Sequence, residues 1–397
     1  MTGARPEAAR PITSRAEIDR RQQVVREAME AAGLSMLVVA GSEYTGFEGA
    51  VRYLSGFRIV HRYAYAVLPL EGEPFTVFPS EARYVGEHAD GWVRAQHFVD
   101  LPGAFLGEQA RRHGGRVGVY GLDYVMPVRD YRALAASEGV EVFSFEEDFD
   151  LARAVKSEEE LAEIRASMAI NEEGFWAVHA AYEPGRTEAD LMATAEEVFT
   201  RSGTGRLTMD MVLSGRDGSA GPEFKIPDPF RPIEPTDMLL YSLEIAGPGG
   251  YWTEFTRPLC QGALPKTTRL MLDAYDEYFA EARRSMRAGA SAHDVHRAVS
   301  EPYLERGLAL GHVTGHSIGT TMIEHPRIGE GVEVELKANM VISMHPHALS
   351  ADGRSCMYMQ DTWLVTPEGG ELLSLVPAKV FDGSESRYPV STGNEQR

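Results

Sequence analysis

Residues 184–203, PGRTEADLMATAEEVFTRSG, recur in register as residues 288–307, AGASAHDVHRAVSEPYLERG, a constant 104 positions downstream. Gly185 matches Gly289, Thr187 matches Ser291, Asp190 matches Asp294, Leu191 matches Val295, Glu197 matches Glu301, Phe199 matches Tyr303 and Gly203 matches Gly307. Thr187 with Asp190, and Ser291 with Asp294, each read as a helix N-cap and its reciprocal partner. Each copy follows another long helical stretch and precedes strand-rich sequence. This duplication constrains the fold most, because a repeated helix–helix–strands unit buries its apolar face against its twin. Two half-domains facing each other, with a site between their sheets, are the expected result.

The residues before the repeat follow a different plan. Positions 16–33 space Ile18, Val24, Val25, Met29 and Ala32 as one face of a helix that stops at Gly33. Apolar runs at 35–40, 65–70, 75–79, 116–120 and 141–144 then alternate with helical stretches near 103–113 and 127–137. That alternation predicts an α/β domain with a mixed sheet. At 397 residues the chain is long enough for two such bodies. The expected division is a flexible N-terminus over 1–15, an α/β domain over 16–152, the repeated domain over 153–382 and a polar tail over 383–397. The second domain opens on a helix near Lys156, with Ser157 as N-cap and Glu160 as its return partner.

Charge limits the partners. The formal net charge is −20, and Arg20, Arg21 and Arg26 lie among acidic residues at helical spacing. An anionic membrane surface or a nucleic-acid backbone is therefore not an expected partner. No run approaches the roughly 20 apolar residues of a membrane helix, and the first residues lack the apolar core of a secretory signal. With only Cys260 and Cys356 the chain needs no disulfides, so a cytoplasmic location is expected.

Histidine is the uneven residue: five of twelve, His312, His316, His325, His345 and His347, fall between 312 and 347. In NMVISMHPH, strand alternation puts His345 and His347 on one face, and the glycines of GHVTGHSIG allow close approach beside His316. His312 reads as structural. A second signal is the hairpin-like segment 241–258, YSLEIAGPGGYWTEFTRP, which carries Glu244 and Glu254. A glutamate in an apolar, aromatic strand is costly unless it is paired or holds a cation, so Glu254 is a candidate functional carboxylate.

These segments resemble the pita-bread family of creatinase, prolidase, aminopeptidase P and methionine aminopeptidase. The matching stretches are YLSGF at 53–57, KSEEELAEIR at 156–165, the GY…E.TR pattern at 250–257, GHSIG at 315–319, NMVISMHP at 339–346 and QDTWLVTPEGG at 360–370. The resemblance implies a creatinase-like N-terminal α/β domain, a C-terminal pita-bread domain with an internal two-fold repeat, and a fold of the α/β (α+β) class. It also implies a homodimer in which Arg58 and Arg62 reach the partner's cleft as substrate contacts.

The family's metallopeptidases bind two metal ions through two aspartates, a histidine and two glutamates. Carried over, these positions fall on Leu243, Glu254, His316, His345 and Gln360. A further family histidine belongs near Pro222 to Phe224, where this chain has none. Leu243 cannot coordinate, and strand alternation aims its neighbour Glu244 at the opposite face unless the Gly247-Pro248-Gly249-Gly250 loop shifts the register by one. Glu254, His316 and His345, with Gln360 as a weak fourth ligand, remain as a mononuclear set suited to Zn, Mn or Fe.

Three readings follow. The first is a hydrolase acting on a C–N bond of a small-molecule substrate, with one divalent metal ion or none, in which His316, His325 and Glu254 are catalytic and Tyr251 and His347 contact the substrate. The second is a mononuclear non-haem iron enzyme, an oxygenase or a lyase. The third is a catalytically silent cleft. Ordinary dinuclear peptidase activity is not expected, because the carboxylate-rich ligand set is depleted.

Overall fold

The computed structural model describes residues 13–43, 46, 49–59, 62–85, 91–204 and 211–385. The expected flexible segment before Thr13 and the tail beyond Glu385 lie outside the described residues.

The first helix, Arg15–Ala31, starts where the Ser14 hydroxyl accepts the Glu17 amide, and Gly33 ends it at φ +66°. Its Val25 and Met29 pack under a six-stranded sheet. The spatial order of that sheet is Ala95–Val99, Phe75–Pro79, Tyr63–Pro69, Met36–Ser42, Arg116–Tyr120, Glu141–Ser144. Tyr63–Pro69 runs antiparallel to both neighbours and the other pairs are parallel, so the sheet is mixed. Ala95–Val99 was not anticipated. It is an edge strand whose residues are exposed or half-buried, so it carries none of the apolar run by which a buried strand announces itself.

The repeat is visible in the structure. Helix Glu158–Ala181 opens on the anticipated capping box, with Glu160 N donating to Ser157 Oγ at 3.2 Å and Ser157 N donating to Glu160 Oε2 at 2.8 Å. Helix Glu188–Arg201 opens on the Thr187/Asp190 box. Its counterpart Ala292–Leu304 has the Ser291 cap but not the return bond; the Asp294 carboxylate pairs instead with Arg297, one turn on, at 3.1 Å. The matched glycines share left-handed backbone, Gly185 with Gly289 and Gly203 with Gly307, which is why neither pair tolerates another residue cheaply.

In the first copy, Leu161, Ile164, Phe175, Leu191 and Phe199 pack against Tyr241, Ile245 and Phe255. In the second, helices Lys266–Ser285 and Ala292–Leu304 bury Met271, Tyr275, Val295 and Tyr303 against Ile342 and Trp363. The second copy's main sheet has the order Glu324–Ile328, Gly315–Ser317, Val341–Met344, Asp361–Val365, Gly370–Leu372. It is joined to the first copy's hairpin, Leu243–Ala246 with Trp252–Phe255, where Thr256 N donates to Gln360 O and Glu254 N to Thr362 Oγ1, both at 3.0 Å.

The hairpin overturns one expectation. Glu244 stands directly opposite Glu254, and Leu243 opposite Phe255. Glu244 therefore shares the face of Glu254, and the apolar side chain of Leu243 joins the core.

The N-terminal domain is fastened to the repeated domain through Arg153. Its buried guanidinium reaches Asp150 at 2.7 Å, Glu324 at 2.9 Å, Thr320 at 2.8 Å, Thr321 at 2.6 Å and the Tyr120 hydroxyl at 2.9 Å. Lys156 adds a second contact to Glu324 at 3.0 Å. Two cations around one buried carboxylate offset the cost of taking these charges out of water.

Candidate functional site

Each site residue is delivered by a strand or by the residue just after one. Glu254 comes from the hairpin, His316 from the centre of Gly315–Ser317, His345 from the step after Val341–Met344, and Gln360 from the step before Asp361–Val365. Glu254, His316 and His345 are buried, and one potential ligand atom from each lies within 4.8 Å of the others. They line a cavity of about 340 Å3 with Glu244, Gln360, Tyr358, His312 and Arg327, and with apolar Met211, Phe224, Val313, Met322 and Ile323.

The hydrogen bonds decide which atoms are available. His316 Nδ1 donates to the Ser317 carbonyl at 3.0 Å, leaving Nε2 as the lone-pair nitrogen, 3.5 Å from Glu254 Oε1. Burial holds His316 below its usual pKa, so this contact is a neutral imidazole facing a carboxyl rather than an ion pair. Among the described residues, His345 Nδ1 is buried without a hydrogen-bond partner. Burial, then the neighbouring His316 and His312, keeps His345 neutral, well below the ordinary value.

Glu254 Oε2 accepts from Ser343 Oγ and, at 2.6 Å, from Gln360 Nε2. Gln360 Nε2 also donates to Glu244 Oε1 at 3.1 Å. Ser242 Oγ lies 2.7 Å from Glu244 Oε1 and 2.6 Å from Gln360 Oε1. A hydroxyl has one hydrogen, so both contacts are satisfied together when Glu244 carries a proton. The electrostatics agree: burial, reinforced by Glu254, pushes Glu244 up to about 8, and burial pushes Glu254 up to about 7.

These donors fit one divalent ion. Two neutral imidazoles, one with an orphaned buried nitrogen, and the Oε1 of a carboxylate anchored through Oε2 make a three-ligand set with open positions. On the hairpin Glu244 takes the cavity-facing place that the sequence reading gave to Leu243, whose side chain is buried in the apolar core, and both ends of the Gln360 amide are engaged in hydrogen bonds.

Other anticipated residues lie elsewhere. Tyr251 does not line the cavity; its hydroxyl accepts from Arg21 at 2.9 Å and donates to Glu160 at 2.8 Å, tying the domains together. His347 is buried against Phe224 and Tyr358, and burial pushes it down to about 4. His325 lies on the edge strand Glu324–Ile328, and its Nδ1 is 3.1 Å from Asp150 of the N-terminal domain. Arg58 is half-buried and Arg62 exposed; neither lines the cavity of its own chain. His312, read as structural, does line it, its ring centroid 5.2 Å from that of His345. Arg257 makes a two-pronged pair with Asp361 at 2.8 and 3.0 Å. Ser242, Ser343 and Arg327 were not foreseen, because single serines and arginines carry no spacing signal.

A creatinase-like α/β domain followed by a pita-bread domain with a histidine–carboxylate cavity defines a class, and the comparisons place the chain within it. Residues 162–367 match the model of metallopeptidase family M24, and residues 21–155 that of the creatinase/prolidase N-terminal domain. The chain belongs to metallopeptidase family M24. It is 28% identical over 375 residues to the probable dipeptidase PepE of Mycobacterium tuberculosis, covering 91% of this chain and 96% of that one. It is 25% identical over 224 residues to the Xaa-Pro dipeptidase of Pyrococcus furiosus, covering 56% of this chain and 63% of the relative. The crystal structure of dipeptidase PepE from Mycobacterium ulcerans superposes with a TM-score of 0.77 at 25% identity, covering 94% of this chain and 99% of that one. No helix among the described residues is long and apolar enough to cross a membrane.

Proposed function

We propose that this chain hydrolyses a C–N bond in a small, peptide-like substrate bearing a carboxylate, with one divalent ion (Fe, Mn or Zn) held by Glu254, His316 and His345. The observation that carries the reading is the convergence of those three buried side chains at a cavity of small-ligand size. When bound, such an ion lowers the pKa of a coordinated water and polarises the scissile carbonyl. Gln360 and Ser343 fix the Glu254 carboxyl through Oε2, leaving Oε1 toward His316. Glu244, pushed up to about 8 by burial and by the neighbouring Glu254, is assigned as proton donor to the departing amine. Arg327, an exposed guanidinium among the cavity-lining residues, is assigned to the substrate's carboxylate. Phe224, Met322, Ile323 and Tyr358 exclude water and suit an apolar substituent. The named dipeptidase and prolidase relatives support the hydrolytic class. A homodimer in which Arg58 and Arg62 approach the partner's cleft belongs to the same reading, as does His325 as a substrate contact at the strand edge.

The test is elemental mass spectrometry of the purified protein beside Glu254→Ala and His345→Ala, together with turnover of a dipeptide panel. About one ion per chain, reduced at least tenfold in both variants, and amide hydrolysis by the wild type are expected. No ion after reconstitution with Zn2+, Mn2+ and anaerobic Fe2+ would overturn the metal assignment. Two histidines and one carboxylate are also the set of non-haem iron oxygenases; iron content with substrate-dependent oxygen uptake would move the chain to that class.

A further inference from the structure

Glu244 and Glu254 stand directly opposite each other on the hairpin, buried and on one face. Two ionised carboxyls so placed would repel, and the repulsion is relieved by a proton on one of them or by positive density between them. The fold supplies such density without an ion. Gln360 Nε2 sits between the carboxyls, 2.6 Å from Glu254 Oε2 and 3.1 Å from Glu244 Oε1. The amide is oriented from its far end by Ser242 Oγ, 2.6 Å from Oε1. It is anchored from behind by the backbone bond from Thr256 N to Gln360 O at 3.0 Å. Turned over, the amide would press its oxygen against Glu254 Oε2, which already accepts from Ser343 Oγ, so the hydrogen-bond pattern sets N–H toward Glu254.

We infer that the Gln360 amide is a built-in substitute for the second metal ion of the family's centre, so that this chain accepts one ion at most, beside His316 and His345. The inference rests on the proposed single-ion reading and deepens it. An ion between the two carboxyls needs oxygen contacts of about 2.0–2.2 Å. The amide nitrogen already occupies that space at hydrogen-bonding distance, and an amide NH2 has no lone pair to offer a metal. Occupation by the amide and by a cation therefore exclude each other. Glu244, with no ion beside it, becomes a hydrogen-bonded partner of the amide rather than a metal ligand.

The experiment is a Mn2+ titration of the metal-free full chain, wild type against Gln360→Glu, read as ions retained per chain and as the midpoint of thermal unfolding. Gln360→Glu replaces the N–H donors with a third carboxyl, so it restores both the vacancy and the need for a cation. The expected result is at most one ion for the wild type, one more for the variant, and a metal-free variant of low thermal midpoint that Mn2+ raises by several degrees more than it raises the wild type. Two ions on the wild type, or a folded variant that gains none, would overturn the inference. Should the variant not fold, electron paramagnetic resonance of the wild type decides. An uncoupled Mn2+ spectrum saturating at one equivalent or fewer supports the substitution, and an exchange-coupled pair refutes it. A wild type with no ion but a variant that gains one would overturn the proposed metal mechanism and leave the amide assignment standing.

Discussion

Arg257 is the residue whose loss should damage the site most without touching it. Its five N–H groups are all used: Nε donates to the Pro377 carbonyl at 2.9 Å, Nη1 to Thr256 O at 2.8 Å and Asp361 Oδ2 at 3.0 Å, and Nη2 to Asp361 Oδ1 at 2.8 Å and Val376 O at 3.1 Å. Both partners of the pair are buried, and the pair clamps the hairpin carrying Glu254 to the strand that follows Gln360. Arg257→Met keeps much of the aliphatic volume and removes every donor. Breaking a buried pair from one side costs about 3–5 kcal/mol, and each carbonyl left without a donor adds about 1–3 kcal/mol before relaxation and water entry. We expect a net loss of about 4–6 kcal/mol, a large part of the roughly 5–15 kcal/mol that holds a protein folded. The sign with pH follows from Asp361. Burial already pushes its carboxyl up despite the guanidinium, and removing the counter-charge pushes it further. A raised folded pKa favours the neutral form, so the variant is least impaired at pH below about 3.9 and loses stability as pH rises through the raised folded value. Urea unfolding followed by tryptophan fluorescence and far-UV circular dichroism reads the loss. A deficit under about 2 kcal/mol at unchanged m-value would refute the reasoning, as would failure of Arg257→Met/Asp361→Leu to recover part of it.

Two further outcomes follow. His325 has its pKa raised chiefly by the Asp150 hydrogen bond. It therefore contributes domain-docking stability that is full below about 6.5 and is lost as pH rises through the raised value. His325→Gln should flatten the stability–pH curve in that window; an unchanged curve would exclude the contact. Arg327→Ala should raise KM for carboxylate-bearing substrates at least tenfold with little change in kcat or thermal midpoint, and equal effects on carboxylate and amidated substrates would remove Arg327 from recognition.

Much of the architecture was legible because it is written in local chemistry. The Ser157/Glu160 and Thr187/Asp190 boxes, the strands Phe75–Pro79, Arg116–Tyr120 and Glu141–Ser144 and the helix starts depend on neighbours a few residues away. The edge strand Ala95–Val99 stayed hidden because an exposed strand needs no apolar pattern. Tyr251 read as a substrate contact from its place beside Glu254, yet its hydroxyl belongs to a network with Arg21 and Glu160 that is 230 and 91 residues distant in sequence.

The sequence by itself determined the duplication, the two kinds of domain, and the residue types that converge on a histidine–carboxylate site, because periodicity, capping and buried charge are properties of short segments. Tertiary structure alone decided how those residues act. Strand register turned Glu244 toward Glu254 instead of away from it. A bond across 106 residues set the Gln360 amide between the two carboxyls as a hydrogen donor. Register and side-chain orientation are settled by the summed packing of two sheets that meet only when the chain has folded, and no segment of the sequence carries that sum.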